Sequence, residues 1–226
     1  MAVALIVAAG RGTRMGGPVP KQYRLLGGVA VIRHTILAFC DHAGIGGVQA
    51  VIHPADRALY AKAVAGLDLP EPVLGGATRQ ESVRQGLEAF APTAPDKVLI
   101  HDAVRPFVAT ATITAVLAAL DRHAAVLAGV PVSDTLKRCR DGVVEATIDR
   151  RDVWRAQTPQ GFDFARILAA HRAAAAEAIE LTDDAMVAER AGLAVAMVEG
   201  GEDAFKITTE ADLARAEQVL RLRLPG

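Results

Sequence analysis

The chain begins with Val3-Ala4-Leu5-Ile6-Val7-Ala8-Ala9-Gly10-Arg11-Gly12-Thr13-Arg14-Met15, an apolar run that passes directly into a glycine-containing loop. A short, continuous apolar run bounded by glycine is typical of a parallel-sheet strand that is covered on both faces. Ligands of open α/β sheets bind beyond the carboxyl ends of the strands. The stretch therefore predicts a first strand followed by a binding loop.

Strand-like and helix-like patterns then alternate along the rest of the chain. Short apolar runs at 48–52, 73–74, 98–101, 126–132 and 194–198 are separated by helical periodicity at 31–39, 55–65, 79–90, 113–123, 164–178, 183–191 and 209–222. Such alternation implies right-handed crossovers between parallel strands. We expect an α/β fold with a doubly wound, mostly parallel sheet, in a single domain over residues 1–226.

The segment from about 137 to 154 breaks this alternation. It contains Asp141-Gly142, a strong two-residue hairpin signal, between short flanks rich in Val, Thr and Ile. An isolated two-stranded hairpin is marginally stable in water. We therefore expect a protruding β-arm that packs on a partner.

Charge and composition exclude several classes of protein. The net charge of −1 over 226 residues offers no basic field for a polyanion, so we expect no nucleic-acid partner. The first apolar run stops at Gly10, too early for a signal peptide or a membrane span. Cys40 and Cys139 are far apart and, like the scattered histidines, show no metal-ligand spacing. Unpaired thiols suit a reducing compartment, so we expect a cytoplasmic protein without a membrane partner.

The first loop has the composition of a phosphate-binding loop. Gly10 and Gly12 let backbone N–H groups approach phosphate oxygens, although a structural turn explains two glycines equally well. Met15 occupies the third glycine position of a dinucleotide fingerprint, and no Gly-Lys-Ser or Gly-Lys-Thr follows as in a P-loop. Arg11, Arg14 and Lys21 are instead spaced so that they can surround a triphosphate and stabilise a departing pyrophosphate.

Two motifs in this region resemble a known family. Ala8-Ala9-Gly10-x-Gly12-x-Arg14-Met15 followed by Pro20-Lys21-Gln22-Tyr23 is similar to the signature of the 2-C-methyl-D-erythritol 4-phosphate cytidylyltransferases. These enzymes belong to the nucleotidyltransferases with a glycosyltransferase-A-like α/β fold. Many sugar nucleotidyltransferases share the first half of the signature, whereas the Pro-Lys-Gln continuation is narrower.

The resemblance extends to two further strand ends. Gly75-Gly76-x-x-Arg79-x-x-Ser82-Val83 resembles the segment that reads cytosine in the family, and His101-Asp102-Ala103-Val104-Arg105-Pro106 the segment that meets the ribose and phosphates, with its Asp near magnesium. Without the resemblance, a glycine turn with a Ser helix cap and a surface ion pair would be the ordinary interpretations.

The acceptor side of the family pattern is also present. Pro131 to Lys137 and Thr147 to Arg150 resemble the two sides of the family's arm, which implies that Thr135 and Arg150 bind methylerythritol phosphate across a dimer interface. Arginine can bind two phosphate oxygens at once, although Arg150 and Arg151 also suit a solvated charged stretch. Lys206 corresponds to the lysine that positions the incoming phosphate. Ala204 stands where the family commonly has Asn, so this chain lacks the side chain that could form one local hydrogen bond there.

The resemblance implies transfer of CMP from CTP to 2-C-methyl-D-erythritol 4-phosphate with release of pyrophosphate, in the synthesis of isoprenoid precursors. The implied cofactor is Mg²⁺ or another divalent cation, held mainly by the CTP phosphates near Asp102. The implied catalytic residues are Arg14, Lys21, Arg150 and Lys206. The implied substrate-binding residues are Ala8, Ala9, Gly10, Gly12, Gly76, Arg79, Ser82, Asp102, Ala103, Arg105 and Thr135.

Other functions remain open at this point. The alternative acceptor is another polyol phosphate such as ribitol 5-phosphate, and the alternative nucleotides are UTP or GTP with a sugar 1-phosphate. A non-catalytic nucleotide-binding protein would not need cations on both sides of the α-phosphorus, and the broken glycine fingerprint disfavours a dehydrogenase. Because some family members are fused to a cyclodiphosphate synthase and Gly226 ends this sequence without one, we expect a stand-alone enzyme.

Overall fold

The computed structural model describes residues 1–11 and 19–223 of the chain. Seven strands form the central sheet: β1 (Ala2–Ala8), β4 (Ile45–Ile52), β5 (Val73–Leu74), β6 (Lys97–Asp102), β7 (Ala125–Pro131), β10 (Trp154–Asp163) and β11 (Val195–Glu199). Two small two-stranded sheets pair β2 (Leu25–Leu26) with β3 (Val29–Ala30) and β8 (Leu136–Arg140) with β9 (Val143–Ile148). The helices are α1 (Val31–Cys40), α2 (Arg57–Ala63), α3 (Arg79–Phe90), α4 (Thr110–Ala119), α5 (Phe164–Ala176), α6 (Asp184–Arg190) and α7 (Glu210–Arg223).

The strand order is β11-β7-β10-β6-β1-β4-β5. Strand β1 lies between β6 and β4 and pairs in parallel with both, while β10 runs antiparallel to both of its neighbours. Parallel strands end at the same edge of a sheet, so the loops after β1, β4, β5 and β6 meet there. The expected mostly parallel α/β sheet is confirmed.

Helices cover both faces of the sheet because the central strands are apolar on both sides. In β1, Ala4 and Ile6 pack into a core with residues of α1, α2 and α4, whereas Val3 and Leu5 pack into a second core with residues of α3, α5 and α6. A third, smaller core joins α7 to Leu26 and Phe107. Among the described residues, no helix has the length and apolar character needed to cross a membrane.

Strand β10 is the main departure from the expected elements. The segment Gln157-Thr158-Pro159-Gln160 has polar residues around a proline, a composition typical of a turn, but it lies inside this strand. The pairing with β7 is irregular between Ala156 and Gln160, and the Thr158–Pro159 peptide bond is cis. Proline in a central strand normally argues against a strand, which is why the sequence pattern was misleading.

The arm is a short hairpin. Asp141 and Gly142 connect β8 to β9 with φ values of 48° and 81°, the left-handed pair that a type I′ turn requires. The hairpin ends at Ile148, and Trp154 already pairs with Pro131 in the central sheet. The antiparallel excursion is therefore shorter than the predicted span of 137 to 154.

Candidate active site

A cavity of about 340 Å³ opens beyond the carboxyl ends of β1, β5 and β6. Its wall includes residues from the loops after these strands, from the turn at Lys21–Tyr23 and from the segment before α7. Of the predicted site residues it gathers Ala8, Ala9, Gly10, Lys21, Gly76, Arg79, Ser82, Asp102, Ala103 and Lys206. Gly12 and Arg14, also predicted, lie outside the residues that the structure describes.

Gln22 connects the first loop to the turn that carries Lys21. It is buried, and its Nε2 donates to the carbonyl oxygen of Ala8 at 2.7 Å and to that of Gly10 at 3.2 Å. These bonds hold the end of β1 against the turn, so Lys21 enters the cavity beside the loop backbone. The structure thus explains why Lys and Gln are adjacent in the Pro-Lys-Gln motif: the glutamine fixes the loop after β1, and the lysine lines the cavity next to that loop.

The loop before α3 is organised by hydroxyl groups. Thr78 is the N-cap of α3 and accepts from the N–H of Glu81 at 3.1 Å, so the cap is this threonine and not Ser82. The buried Ser82 hydroxyl donates to the Thr78 carbonyl at 2.8 Å and accepts from the N–H of Gly76 at 3.1 Å. Ser82 therefore faces the cavity while holding the glycine loop in place.

Asp102 is the centre of the charged part of the cavity. Its carboxylate lies 3.0 Å from Lys206 Nζ, 3.3 Å from Arg105 Nε and 3.7 Å from an Arg79 nitrogen. Burial of the carboxyl group opposes its ionisation, but the charges of Lys206, Arg79 and Arg105 outweigh burial and hold the pKa of Asp102 well below its ordinary value. The group is a carboxylate at any physiological pH.

Arg105 lies behind the cavity wall and ties two loops together. Besides its ion pair with Asp102, it donates to the carbonyl oxygen of Ala204 at 2.8 Å. Ala204 is buried, and this backbone contact comes two residues before Lys206. The lysine segment is thus held by a carbonyl group at the position where the family commonly has an asparagine side chain.

His101 supports the Asp102 loop from inside the protein. Its ring is fully buried, with Nε2 at 3.0 Å from the Arg105 carbonyl oxygen and Nδ1 at 2.9 Å from Thr158 Oγ1. A carbonyl oxygen only accepts, so Nε2 carries the hydrogen and Nδ1 accepts from the threonine hydroxyl. Burial lowers the pKa of His101 to about 4, and the ring is neutral in this role.

Arg11, expected among the phosphate-binding cations of the first loop, meets two residues after β4 that were not predicted as part of the site. Arg11 lines the cavity with its guanidinium 3.0 Å from His53 Nδ1 and 3.3 Å from a carboxylate oxygen of Asp56. Asp56 is almost completely buried. The position of His53 directly after an apolar strand was an available signal, whereas the pairing of Arg11 with Asp56 depends on the fold.

Thr135 and Arg150 are not brought into the cavity of the same chain. Both are exposed near the base of the β8–β9 hairpin, where Arg150 donates to the Ser133 carbonyl oxygen. Arg105, as described above, contacts Asp102 without lining the cavity. Apart from Arg105, the described residues of the predicted nucleotide half line the cavity of one chain together with Lys206, whereas Thr135 and Arg150 of the acceptor half lie outside it.

The charge of the cavity wall suits a polyphosphate. Within the described part of the chain, the lining includes Arg11, Lys21, Arg79 and Lys206 as cations and Asp102 as the acidic residue. Ala9 and Gly10 of the loop after β1 also line the cavity. Such an arrangement neutralises several phosphate charges and leaves the glycine loop before α3 for contacts to another part of the ligand.

Comparison with known proteins agrees with this geometry. The sequence model of the family described as "IspD: 2-C-methyl-D-erythritol 4-phosphate cytidylyltransferase" matches residues 2–222. The enzyme of that name from Cereibacter sphaeroides is 50% identical over 221 residues, which is 97% of this chain and 96% of the relative. The bifunctional enzyme IspD/IspF of Paramagnetospirillum magneticum is 60% identical over 214 residues, covering 95% of this chain.

The chain spans about half the length of such bifunctional relatives, 55% in that case.

Solved structures show the same fold. The 2-C-methyl-D-erythritol 4-phosphate cytidylyltransferase of Thermus thermophilus is 34% identical with a TM-score of 0.79, covering 98% of this chain and all of that one. The 4-diphosphocytidyl-2C-methyl-D-erythritol synthase of Anaerococcus prevotii is 30% identical with a TM-score of 0.86, covering 97% and 98% of the two chains. The chain therefore belongs to the 2-C-methyl-D-erythritol 4-phosphate cytidylyltransferase family.

Proposed function

We propose that the protein transfers CMP from CTP to 2-C-methyl-D-erythritol 4-phosphate and releases pyrophosphate. The observation that carries this proposal is the cavity in which Lys21, Arg79 and Lys206 converge beside Asp102, next to the Gly76–Ser82 loop. The loop offers backbone and hydroxyl groups of the kind that pair with a nucleobase, and the cations offer sites for the triphosphate.

The reaction needs positioning and charge stabilisation more than acid–base chemistry. An oxygen of the acceptor phosphate attacks the α-phosphorus of CTP in line, so that a new P–O bond forms as the bond to pyrophosphate breaks. A phosphate dianion is already a nucleophile, so no general base is required. Lys21, with Arg14, stabilises the charge on the triphosphate, and Lys206, with Arg150, aligns the acceptor phosphate.

The residues present fit a magnesium ion that is bound mainly by the substrate. Mg²⁺ is commonly held by one or two carboxylates together with phosphate oxygens. Asp102 supplies one carboxylate in the cavity, and among the described residues no group of three His, Cys, Asp or Glu is placed to hold a metal by itself. When bound, the ion would neutralise phosphate charge beside Asp102.

We propose further that the protein acts as a homodimer. Thr135 and Arg150 lie outside the cavity of their own chain, and the hairpin between them exposes Val143 and Val144, with 68% and 56% of their surfaces accessible. An arm laid on a second copy would bury these apolar groups and bring both residues to the partner subunit's cavity. The single seven-stranded sheet, with a core on each face, supports one domain with this hairpin as its arm.

A cytoplasmic location is part of the same proposal. Cys40 and Cys139 are both free and exposed, which suits a reducing compartment.

Release of pyrophosphate from CTP with Mg²⁺ tests the proposed function. The acceptors to compare are methylerythritol phosphate and ribitol 5-phosphate, with UTP and GTP replacing CTP in parallel reactions. We expect fast release only with CTP and methylerythritol phosphate. Release with ribitol 5-phosphate alone would support cytidylyl transfer but refute methylerythritol phosphate as the acceptor. Release with UTP or GTP alone would refute CTP as the nucleotide substrate.

A further inference from the structure

A chain of buried charges leads from the cavity into the interior. Arg79 donates to Asp184 Oδ2 at 2.8 Å and lies 3.7 Å from Asp102. The other carboxylate oxygen of Asp184 is 3.3 Å from Nε2 of His171, whose ring is completely buried. Asp184 belongs to α6 and Arg79 to α3, and 105 residues separate the two in sequence.

The position of Asp184 is set by strand β10. The side-chain oxygen of Gln160 accepts from the backbone N–H groups of Asp184 and Ala185 at 3.1 and 3.0 Å, and its amide nitrogen donates to Asp183 at 3.1 Å. Asp184 is 1% exposed. The carboxylate therefore has a fixed place from which it can hold a longer, flexible side chain.

Arg79 needs such an anchor because two carboxylates compete for it. The Arg79 side chain is only partly buried, with 29% of its surface exposed, and it lines the cavity. Burial opposes its charge, but Asp184 and Asp102 together raise the pKa of Arg79 above its ordinary value. Asp184 is the nearer of the two carboxylates, at 2.8 Å against 3.7 Å for Asp102, which also pairs with Lys206.

We propose that Asp184 is a positioning residue for nucleotide binding: it holds the Arg79 guanidinium on the cavity wall. This inference rests on the proposed function, in which Arg79 contacts CTP. His171 occupies the far side of Asp184 and fills the space behind the carboxylate. Asp184 touches neither substrate in this arrangement, because Arg79 lies between it and the cavity.

The test compares Asp184→Asn with the wild type in direct CTP binding by calorimetry and in steady-state kinetics. Asparagine keeps the shape and the backbone bonds to Gln160 but removes the charge. We expect Kd and KM for CTP to rise about tenfold, the size of one weakened charge-assisted hydrogen bond. Both kcat and the KM for the acceptor should change less than about threefold, since Lys21 and Lys206 are intact.

Arg79→Lys should weaken CTP binding by a similar factor. The double variant, with Asp184→Asn and Arg79→Lys, should have a Kd for CTP no higher than that of the single variant that binds CTP more weakly, because both changes remove the same contact. Asp184→Glu retains the charge, and its CTP affinity is expected to lie between those of the wild type and Asp184→Asn. It serves as the test if the asparagine variant does not fold.

The control is Glu177→Gln, which breaks the exposed Glu177–Arg190 pair at the other end of α6 and should leave CTP binding unchanged.

Unchanged CTP affinity in a folded Asp184→Asn or Asp184→Glu variant would overturn the proposal, as would strictly additive effects in the double variant. A purely structural role would lower thermal stability and the active fraction without changing Kd for CTP. If the wild type binds CTP but transfers nothing to methylerythritol phosphate, the proposed acceptor fails, while the binding comparison still decides the role of Asp184.

Discussion

At the scale of single residues, Asp102 determines how the cations of the cavity are arranged before substrate binds. It pairs with Lys206, Arg105 and Arg79 within 3.7 Å. Each of these cations would otherwise repel its neighbours in a partly buried site. A triphosphate that enters the cavity offers oxygens to the same cations, so we expect substrate binding to exchange some of these contacts for contacts to phosphate.

Replacing the cavity lysines should affect turnover more than binding. Lys21→Ala and Lys206→Ala each remove a cation that stabilises charge in the transition state, and we expect kcat to fall about 10²-fold or more. Kd for CTP, measured separately, should change much less. Lys62→Ala removes an exposed lysine of α2 outside the cavity and is the matched control. Near-normal turnover in both cavity variants would contradict their assigned roles.

Because His101 is buried and neutral, we expect the free energy of unfolding to depend on pH. Its folded-state pKa of about 4 lies below the ordinary value of 6.5, so the unfolded chain binds the proton more readily. Above pH 6.5 the protonation of His101 therefore does not affect the free energy of unfolding. As the pH falls from 6.5 towards 4, the free energy of unfolding decreases because the unfolded chain takes up the proton first. At roughly 1.4 kcal/mol per pH unit, the full loss is about 3 kcal/mol.

Urea unfolding between pH 7 and 4.5 measures this effect. His101→Gln retains a donor and an acceptor but does not titrate, so its free energy of unfolding should decline less steeply with falling pH than that of the wild type. His123→Gln changes an exposed histidine and should leave the slope as it is in the wild type. Equal slopes for the wild type and His101→Gln would show that the protonated ring is tolerated in the folded protein.

At the scale of secondary-structure elements, the cavity depends on the close approach of the β1 loop to the beginning of α3. Gly75 sits between them, and a Cβ atom built on it would lie 2.5 Å from the Ala9 Cβ and 2.7 Å from the Ser82 hydroxyl oxygen. Neither neighbour is the end of a long, flexible side chain. The glycine therefore sets the distance between two walls of the cavity.

Gly75→Ala should force these walls apart. We expect a loss of about 1–3 kcal/mol in the free energy of unfolding, as for other overpacked sites, together with weaker CTP binding. Gly201→Ala is a suitable control because a Cβ there meets no atom within 4 Å, and its stability should change by less than about 0.5 kcal/mol. Calorimetry and thermal unfolding of both variants provide the measurements, and unchanged CTP affinity in Gly75→Ala would refute the proposed spacing role.

At the scale of the whole molecule, the two halves of the proposed site lie in different places. The described residues of the nucleotide side line the cavity at the sheet edge, whereas Thr135 and Arg150 lie at the base of an exposed hairpin. A dimer resolves this separation if the arm of one subunit reaches the cavity of the other. Its apolar tip would then be buried in the assembly.

Charges placed on the tip should prevent such an assembly. We expect the double change Val143→Asp and Val144→Asp to shift the sedimentation coefficient from that of a dimer to that of a monomer. KM for the acceptor should rise, while Kd for CTP is retained. Leu222→Asp, in α7, alters another highly exposed apolar side chain and should leave the dimer intact. A wild-type protein that sediments as a monomer at micromolar concentration would contradict the proposed dimer.

Much of the architecture is readable from local sequence patterns. The apolar runs around Leu5, Val51 and Leu99 predicted parallel strands because each is buried on both faces, and the Asp141-Gly142 pair predicted the hairpin because both residues tolerate positive φ. Strand β10 escaped prediction. Its buried Gln157, Thr158 and Gln160 are polar and flank a proline, and they suit a strand only because they bond to other parts of the fold: Gly201, the end of β6 and the beginning of α6.

The amino-acid sequence by itself determined the fold class, the family and the positions of the strand ends that carry the cavity, because these depend on short-range periodicity and compact motifs. Only the tertiary structure decided which side chains support them. Arg79 meets Asp184 across 105 residues, and Arg11 meets the buried Asp56 from a different strand end. A charge can be buried only where the fold brings it a partner, and no local pattern specifies which distant residue that partner will be.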